Sequence, residues 1–411
     1  MNKKLLFASL LAASLCLLLV LGVVYASNVE KEKKKPKTMD PVSSYVTGTG
    51  KEVYTESKSF LTDSSFLDEV QPNLEKKEEV KKKEASLVVS SVAKDIRVTI
   101  VDARGDRIKG VPFYIDVENV GEYKDLDMDG YIYIPGIKPG EYEISLMESD
   151  AFSSSDTVTI EVPETVQYAA LDDIRYAIVQ EKDVNVEAED TQLKDIDRDN
   201  TEITKIKKGG KSGLNFGIDV SAWQREIDWE KVKKAGVEFV IIRCGYRGAK
   251  TGALVEDSYF YKNLKGAKAA GIDVGVYFFT QAMDETEAVE EASMVLALLG
   301  DETLEYPIFI DTENCNGRAD SLDKNTRTTV CDAFCKTIEK AGRTAGVYGS
   351  RNWFNTKLDD DRLDGHVRWV AEYASTTAYA KKYEMWQYTS SGSIDGIEGR
   401  VDLDISYLPR E

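Results

Sequence analysis

The chain has 411 residues, enough for two or three domains, and carries a formal net charge of −19. That balance argues against a nucleic-acid partner, which needs a basic face. The single histidine, His366, argues against histidine-rich zinc sites and a Ser-His-Asp triad, so hydrolytic chemistry would have to run on carboxylates.

Residues 1–26 open on Met-Asn-Lys-Lys and continue as an apolar run over 5–26, long enough to span a bilayer as a helix. Val24-Tyr25-Ala26 before Ser27 also fits a signal-peptidase site. A retained membrane anchor through residues 5–26 is expected, with a cleaved signal and secretion as the alternative; either exports the remaining chain. Leu15 before Cys16 stands where lipid attachment wants a small residue, which argues against lipidation. Residues 27–94 are rich in Lys, Glu, Ser and Thr and hold too little clustered apolar surface to offset the entropy of ordering. They are expected to form a disordered charged linker, in which a helical stretch over 75–84 would find little to pack against.

Residues 95–180 change character. Alternating apolar stretches at 96–101, 111–117, 131–134, 141–146 and 157–162, with a last candidate at 167–170, are separated by turn signals such as Asp127-Met128-Asp129-Gly130 and Lys138-Pro139-Gly140. Short strands with regular turns predict a small β-sandwich. Asp125, Asp127 and Asp129 suggest a calcium loop, but no glutamate stands at the closing position, which favours a solvated turn. Residues 181–213 read as a polar linker. Its Gly210-Lys211-Ser212 lacks the earlier glycine and the preceding strand of a phosphate loop.

From 214 to 411 strands and helices alternate. Strands are predicted at 216–220, 239–244, 273–279, 307–311, 345–348, 366–371, 383–388 and 401–405. Helices are predicted at 229–235, 258–270, 285–299, 324–341 and 352–358. Gly271, Gly300 and Gly342 follow three of these helices, where a C-terminal cap is expected. The fold class is therefore α/β, a TIM-like (β/α) barrel whose helices thin out late in the chain. In such a barrel, chemistry sits at the carboxyl ends of the strands.

Acids fall at those ends: Asp219, Asp311, Glu313 and Asp402. Asp311 and Glu313 are two residues apart, so on an extended backbone they project to one side. Two neighbouring carboxylates cannot both ionise freely, so one keeps its proton toward neutral pH. A glycosidase needs such a pairing: a protonated acid for the leaving oxygen and a negative group for the oxocarbenium-like transition state. Aromatics that suit stacking on sugar rings accompany them: Trp223, Tyr246, Tyr277, Phe279, Tyr348, Tyr373, Trp386 and Tyr388. Cys331 and Cys335 lie one helical turn apart; a bridge from Cys315 to that helix and buried free thiols are both open.

Two resemblances add to this reading. The Asp-x-x-Gly turn and Gly136-Ile137-Lys138-Pro139-Gly140-Glu141-Tyr142 resemble the prealbumin-like, Ig-like modules of bacterial surface proteins. Gly217-Ile218-Asp219-Val220-Ser221, Arg243-Cys244-Gly245-Tyr246, Ile310-Asp311-Thr312-Glu313, Trp369-Val370-Ala371-Glu372-Tyr373, Trp386-Gln387-Tyr388 and Val401-Asp402-Leu403-Asp404 resemble family-25 glycoside hydrolases, the lysozyme-type N-acetylmuramidases. That resemblance, in order over about 214–408, implies cleavage of the β-1,4 bond between N-acetylmuramic acid and N-acetylglucosamine in peptidoglycan glycan strands. It implies Glu313 as general acid/base, with Asp311, Asp219 and Asp402 as the other acids of the cleft. Tyr246, Tyr277, Phe279, Tyr348, Tyr373, Trp386 and Gln387 are expected to contact substrate, without metal or cofactor. The anomeric carbon is expected to meet either an aspartate or the substrate's own N-acetyl carbonyl. Phe278 stands where the family often has His, and Asp404 where Asn is usual. A surface protein that binds glycans without cutting them, or a chitin-type glycosidase, is the competing expectation.

Overall fold

The computed structural model describes residues 82–149, 151–153, 157–183 and 214–409. The apolar run 5–26, residues 27–81 of the expected linker and residues 184–213 lie outside the described residues. Among those described, no helix is long and apolar enough to cross a membrane.

Among the described residues the first module has eight strands: β1 (Lys83–Ser90), β2 (Asp95–Asp102), β3 (Tyr114–Val117), β4 (Gly121–Lys124), β5 (Tyr131–Pro135), β6 (Gly140–Leu146), β7 (Phe152–Ser153) and β8 (Thr157–Val162). They make two four-stranded sheets, ordered β5-β2-β1-β7 and β4-β3-β6-β8. Alternate residues meet in one core, with Ile96, Val98 and Ile100 from one sheet and Ile115, Val117 and Ile144 from the other. β1 corrects the expected linker, whose boundary at 94 falls too late. Its apolar centre is short and flanked by lysine and glutamate, yet Ala85 and Leu87 are buried because β2 offers a ready edge, paired from Ala85–Asp102 to Ser90–Arg97. The Asp125 turn is solvated over Leu126, Asp127 and Met128, whereas Asp125 itself is buried and accepts the Gly130 amide at 2.9 Å.

Residues 167–170 are not a strand. This segment leaves the sandwich for the second module, with the Leu171 amide donating to Ser293 Oγ at 3.0 Å and the Tyr168 hydroxyl to Glu285 at 2.6 Å. It leads into β9 (Ile178–Gln180), which pairs with a strand of the second module. The boundary drawn at 180 therefore cuts the wrong sheet. Arg97 fixes the junction from the sandwich side, pairing with Asp95 at 2.8 Å and with Glu290; Arg247 reaches the same Glu290 at 2.7 Å and Glu291 at 2.9 Å.

The second module contains β10 (Asn215–Val220), β11 (Phe239–Arg247), β12 (Leu254–Glu256), β13 (Asp273–Phe279), β14 (Ile308–Asp311), β15 (Ala345–Ser350), β16 (Val367–Ala371), β17 (Met385–Gly392) and β18 (Val401–Ser406). Its helices are α1 (Trp229–Lys234), α2 (Phe260–Ala269), α3 (Glu285–Leu299), α4 (Lys324–Lys340) and α5 (Arg351–Thr356). Side chains of Asp228, Asp284, Asp323 and Ser350 cap α1, α3, α4 and α5 by accepting an amide of the first turn. Strands in the order β10-β18-β17-β16-β15-β14-β13-β11 close into a barrel through the β10–β11 pairing, and β12 and β9 extend outward from β11.

The barrel is not the all-parallel kind expected from the alternation. β18 runs antiparallel to both β10 and β17, because the short 393–400 connection cannot hold the crossover a parallel return needs. Side chains alternate between the two faces. Val240, Ile242, Val274, Val276, Ile310 and Val347 pack outward against the helices, while Phe239, Ile241, Phe309 and Trp369 fill the interior. Gly217 and Gly346 keep room for this filling: a Cβ on either would stand 2.5 Å from the ring of Phe239 or Phe309.

Candidate active site

The upper interior of the barrel is polar, and alternation decides which residues reach it. Asp219 is the last inward residue of β10, two positions above Gly217, Asp311 ends β14, and Asp402 and Asp404 are consecutive inward positions of β18. Register then sets neighbours. Asp219 is opposite Asp402, Asp311 is beside Tyr348, and Gln387 is opposite Asp404. Glu313 follows just past β14, half-buried, whereas Asp311 is only 3% exposed.

Trp369 stands at the centre of the floor. Its ring meets those of Tyr348, Phe309 and Tyr277 at centroid distances of 4.5, 5.2 and 6.3 Å. Each such pair contributes about 0.5–1.5 kcal/mol beyond burial, so the floor is rigid. The indole Nε1 donates to Asp404 Oδ1 at 2.8 Å.

Gln387 ties the wall together. Its Nε2 donates to Asp219 Oδ2 at 2.7 Å, while its Oε1 accepts from the Tyr348 hydroxyl at 2.8 Å and the Tyr373 hydroxyl at 3.0 Å. Asp219 is buried and faces Asp404, and both effects push its carboxyl well above the usual range; Glu313 adds to the same field. Burial likewise drives Asp404 well up, against the pull of the Trp369 bond and with Asp402 adding to the rise. Asp404 Oδ2 has no ordinary donor, because its neighbour is the Asp219 carboxylate; a proton held between the two acids satisfies both. Burial raises the Tyr348 phenol well above its ordinary value, and Tyr373, Glu313, Asp311 and Asp219 add to that rise. The acids thus act on one another within a single mouth.

Of the expected contact residues, Tyr277, Tyr348, Tyr373 and Gln387 belong to this interior. Trp386 does not. Its position on β17 turns it outward into the core beneath the helices, and its Nε1 donates to the Glu372 carbonyl at 2.9 Å. Tyr246 and Phe279 are fully enclosed in a small cluster with Cys315, so they support the wall rather than face the opening. Tyr388 also packs outward. The four cysteines of this module are buried free thiols, so the bridge from Cys315 is not formed; burial pushes the Cys331 thiol up to about 12.

Sequence reading missed the tasks of Trp369 and Asp404, although strict alternation from Val367 and from Asp402 puts both inside. It also missed Arg243, which is fully buried, bonds Asp257 at 2.7 Å and lies under the Tyr246 ring at 5.1 Å. A lone arginine in an apolar strand was the available signal. Together the geometry offers clustered carboxylates, one pair holding a proton, beside phenols and an amide, an arrangement suited to acid–base work on a polar, uncharged substrate.

Residues 218–397 match the model of Glycosyl hydrolases family 25. The autolytic lysozyme of Clostridium acetobutylicum is 32% identical over 190 residues, covering 46% of this chain and 54% of that protein. Lysozyme M1 of Streptomyces globisporus is 27% identical over 198 residues, covering 45% of this chain and 65% of that protein. Among solved structures, the modular autolysin LytC from Streptococcus pneumoniae, in complex with a synthetic peptidoglycan ligand, aligns with a TM-score of 0.43 and 33% identity over 48% of this chain and 47% of that one. The chain spans about half the length of the first of these relatives. The stretch 218–397, which holds Asp219, Asp311 and Glu313 but ends before β18 with Asp402 and Asp404, is thus similar to glycosyl hydrolases family 25.

Proposed function

We propose that the protein is a peptidoglycan hydrolase that cleaves the β-1,4 bond between N-acetylmuramic acid and N-acetylglucosamine. The observation that carries this reading is the departure of Asp311 and Glu313 from β14 toward the polar mouth shared with Asp219 and Asp404. The family-25 match over 218–397 supports it.

In this reading Glu313, half-buried and held among other acids, keeps a proton and gives it to the glycosidic oxygen as the bond to the anomeric carbon breaks. Asp311 is enclosed and orients the substrate's N-acetyl group, whose carbonyl meets the anomeric carbon from the opposite face. Water then opens that intermediate with Glu313 acting as base, so configuration is retained. Asp402, with the single negative charge shared by Asp219 and Asp404, supplies the negative field for the oxocarbenium-like transition state. Tyr277, Tyr348, Tyr373 and Gln387 hold the sugar in register. We further propose that the sandwich is a prealbumin-like spacer and that the apolar run 5–26 holds the chain at the membrane with its domains outside the cytoplasm.

The test is digestion of purified cell walls followed by mass analysis of the fragments. The expected products end in reducing N-acetylmuramic acid and disappear with Glu313→Gln. Fragments ending in reducing N-acetylglucosamine, or digestion that survives Glu313→Gln, would overturn the reading.

A further inference from the structure

A cavity of about 620 Å³ opens beside the loop that follows Asp219. Trp223, Gln224, Arg243, Ser258, Tyr259 and Glu181 are among the residues lining it. Five of them belong to the family-25 region. Glu181 does not: it comes from the turn after β9, within the segment that carries the chain out of the sandwich.

Glu181 is built into the wall. Only 8% exposed, it accepts the Ser258 amide at 3.1 Å and approaches Arg243 at 4.0 Å. Arg243 bonds Asp257 at 2.7 Å, and the same Asp257 oxygen accepts the Ala222 amide at 3.0 Å. Asp257 also accepts the Tyr259 amide at 2.9 Å. A carboxylate from outside the matched stretch thus fixes the backbone on the Ser258 side of the cavity, while Asp257 fixes the Ala222 side. Arg243 also faces inward: it stands two positions beyond Ile241 on β11 and is paired in register with Tyr277 of the barrel interior. The cavity and the acid cluster are therefore neighbours.

The lining indicates the ligand. Trp223 is 43% exposed, a large aromatic face at the rim of a polar hollow. Its other walls mix amide, hydroxyl and both signs of charge, which suits a neutral, hydroxyl-rich ring better than an ion. We propose that this cavity is a saccharide subsite beyond the two sugars that flank the cleaved bond, with Trp223 stacking on the ring. Glu181 is a positioning residue by which the segment before the barrel completes the subsite. The assignment rests on the proposed glycan substrate.

The test uses the full chain carrying Glu313→Gln, so that ligand is bound and not consumed, with peptide-free oligosaccharides alternating N-acetylglucosamine and N-acetylmuramic acid. Calorimetry is expected to give a hexasaccharide affinity about tenfold above that of the tetrasaccharide, equivalent to about 1.4 kcal/mol. Trp223→Ala brings the ratio close to one, and Trp223→Tyr, which keeps an aromatic face, restores most of it. Glu181→Ala lowers the ratio, whereas Glu181→Gln, which still accepts the Ser258 amide, retains more. Equal affinities in the parent, or a ratio indifferent to Trp223→Ala, overturn the subsite; wall digestion by the wild-type chain then still stands as a separate result. Failure to bind either oligosaccharide, with no digestion by the wild type, removes the glycan reading and the subsite together.

Discussion

Asp219 and Asp404 meet diagonally across the β10–β18 pair, where Asp219 is opposite Asp402 and Asp404 opposite Gly217, and these two buried carboxyls accommodate one another by sharing a proton. Both carboxyls are raised, so the folded chain keeps a proton that the unfolded chain gives up above about pH 4. Stability contributed by that proton is complete at low pH and is lost as pH climbs toward the folded values. In Asp404→Asn the side-chain oxygen still accepts from Trp369 and the new amide donates to Asp219. Melting temperatures should match the parent near about pH 4 and exceed it by about 2–4 °C near neutrality, equivalent to about 1 kcal/mol. Melting curves across that range check this; a variant no more stable than its parent at neutral pH contradicts the shared proton.

Glu313→Gln removes an exchangeable proton without removing a packed side chain. Turnover on cell walls should fall by about 10²–10⁴-fold, the usual contribution of a positioned acid. The melting temperature should stay near that of the parent. Turbidity clearing and calorimetry on one preparation measure both.

Gln387 is the hub between β10, β15 and the segment after β16, so its replacements separate packing from charge. Gln387→Leu takes the side-chain partner from the buried Tyr348 phenol and the amide donor from Asp219, and should cost about 1–3 kcal/mol for each. Gln387→Glu can still accept from both tyrosines but adds a carboxylate against Asp219. It should therefore be poorly stable at neutral pH and regain stability as the acids protonate. Urea unfolding at acidic and neutral pH distinguishes the two.

Much of the barrel was legible because its strands obey one rule. Inside and outside residues alternate, glycines stand where rings must cross the interior, and Asp219, Asp311 and Gln387 fall on inward positions by counting alone. β13 has the bounds the sequence predicts. β1 was not legible, since a short apolar centre among charges becomes a strand only when a partner edge exists. β9 was hidden for the same reason: it is fixed by β12, a strand that is itself an excursion from β11. Trp386 was assigned by the company it keeps in sequence, whereas the pleat at Gln387 sends it to the opposite face. The depth of Asp404 follows from β18 running antiparallel, which no local pattern reveals.

Arg97 and Arg247 meet at Glu290, and the sandwich depends on that meeting. Arg97→Ala removes the ionic partner of Asp95, which still accepts the Val92 and Ala93 amides, while Glu290 keeps Arg247. Losses of about 3 kcal/mol accompany the breaking of buried pairs. Limited proteolysis should then cut within residues 164–177 before it attacks the barrel, and calorimetry should resolve two transitions.

His366 bridges α4 to the β16 entry, contacting Glu339 at 2.7 Å and Asp332 at 3.2 Å. Burial disfavours its charge, but the bonds to Asp332 and Glu339 outweigh this and raise its pKa. Its stabilisation is complete below about pH 6.5 and fades as pH rises through the folded value. His366→Gln should therefore lower the melting temperature at about pH 5.5–6 and have little effect once the parent histidine is neutral. A penalty independent of pH would contradict the charged bridge.

The antiparallel β18 has a temporal consequence. It brings Asp402 and Asp404 into the mouth and zips β10 to β17, yet it is the last barrel strand to be synthesised. A nascent chain that has made the earlier seven strands holds an unclosed sheet with β10 and β17 at its edges and lacks Asp402 and Asp404, two of the five acids of the mouth. Closure of the cylinder and completion of its acid cluster are therefore one event.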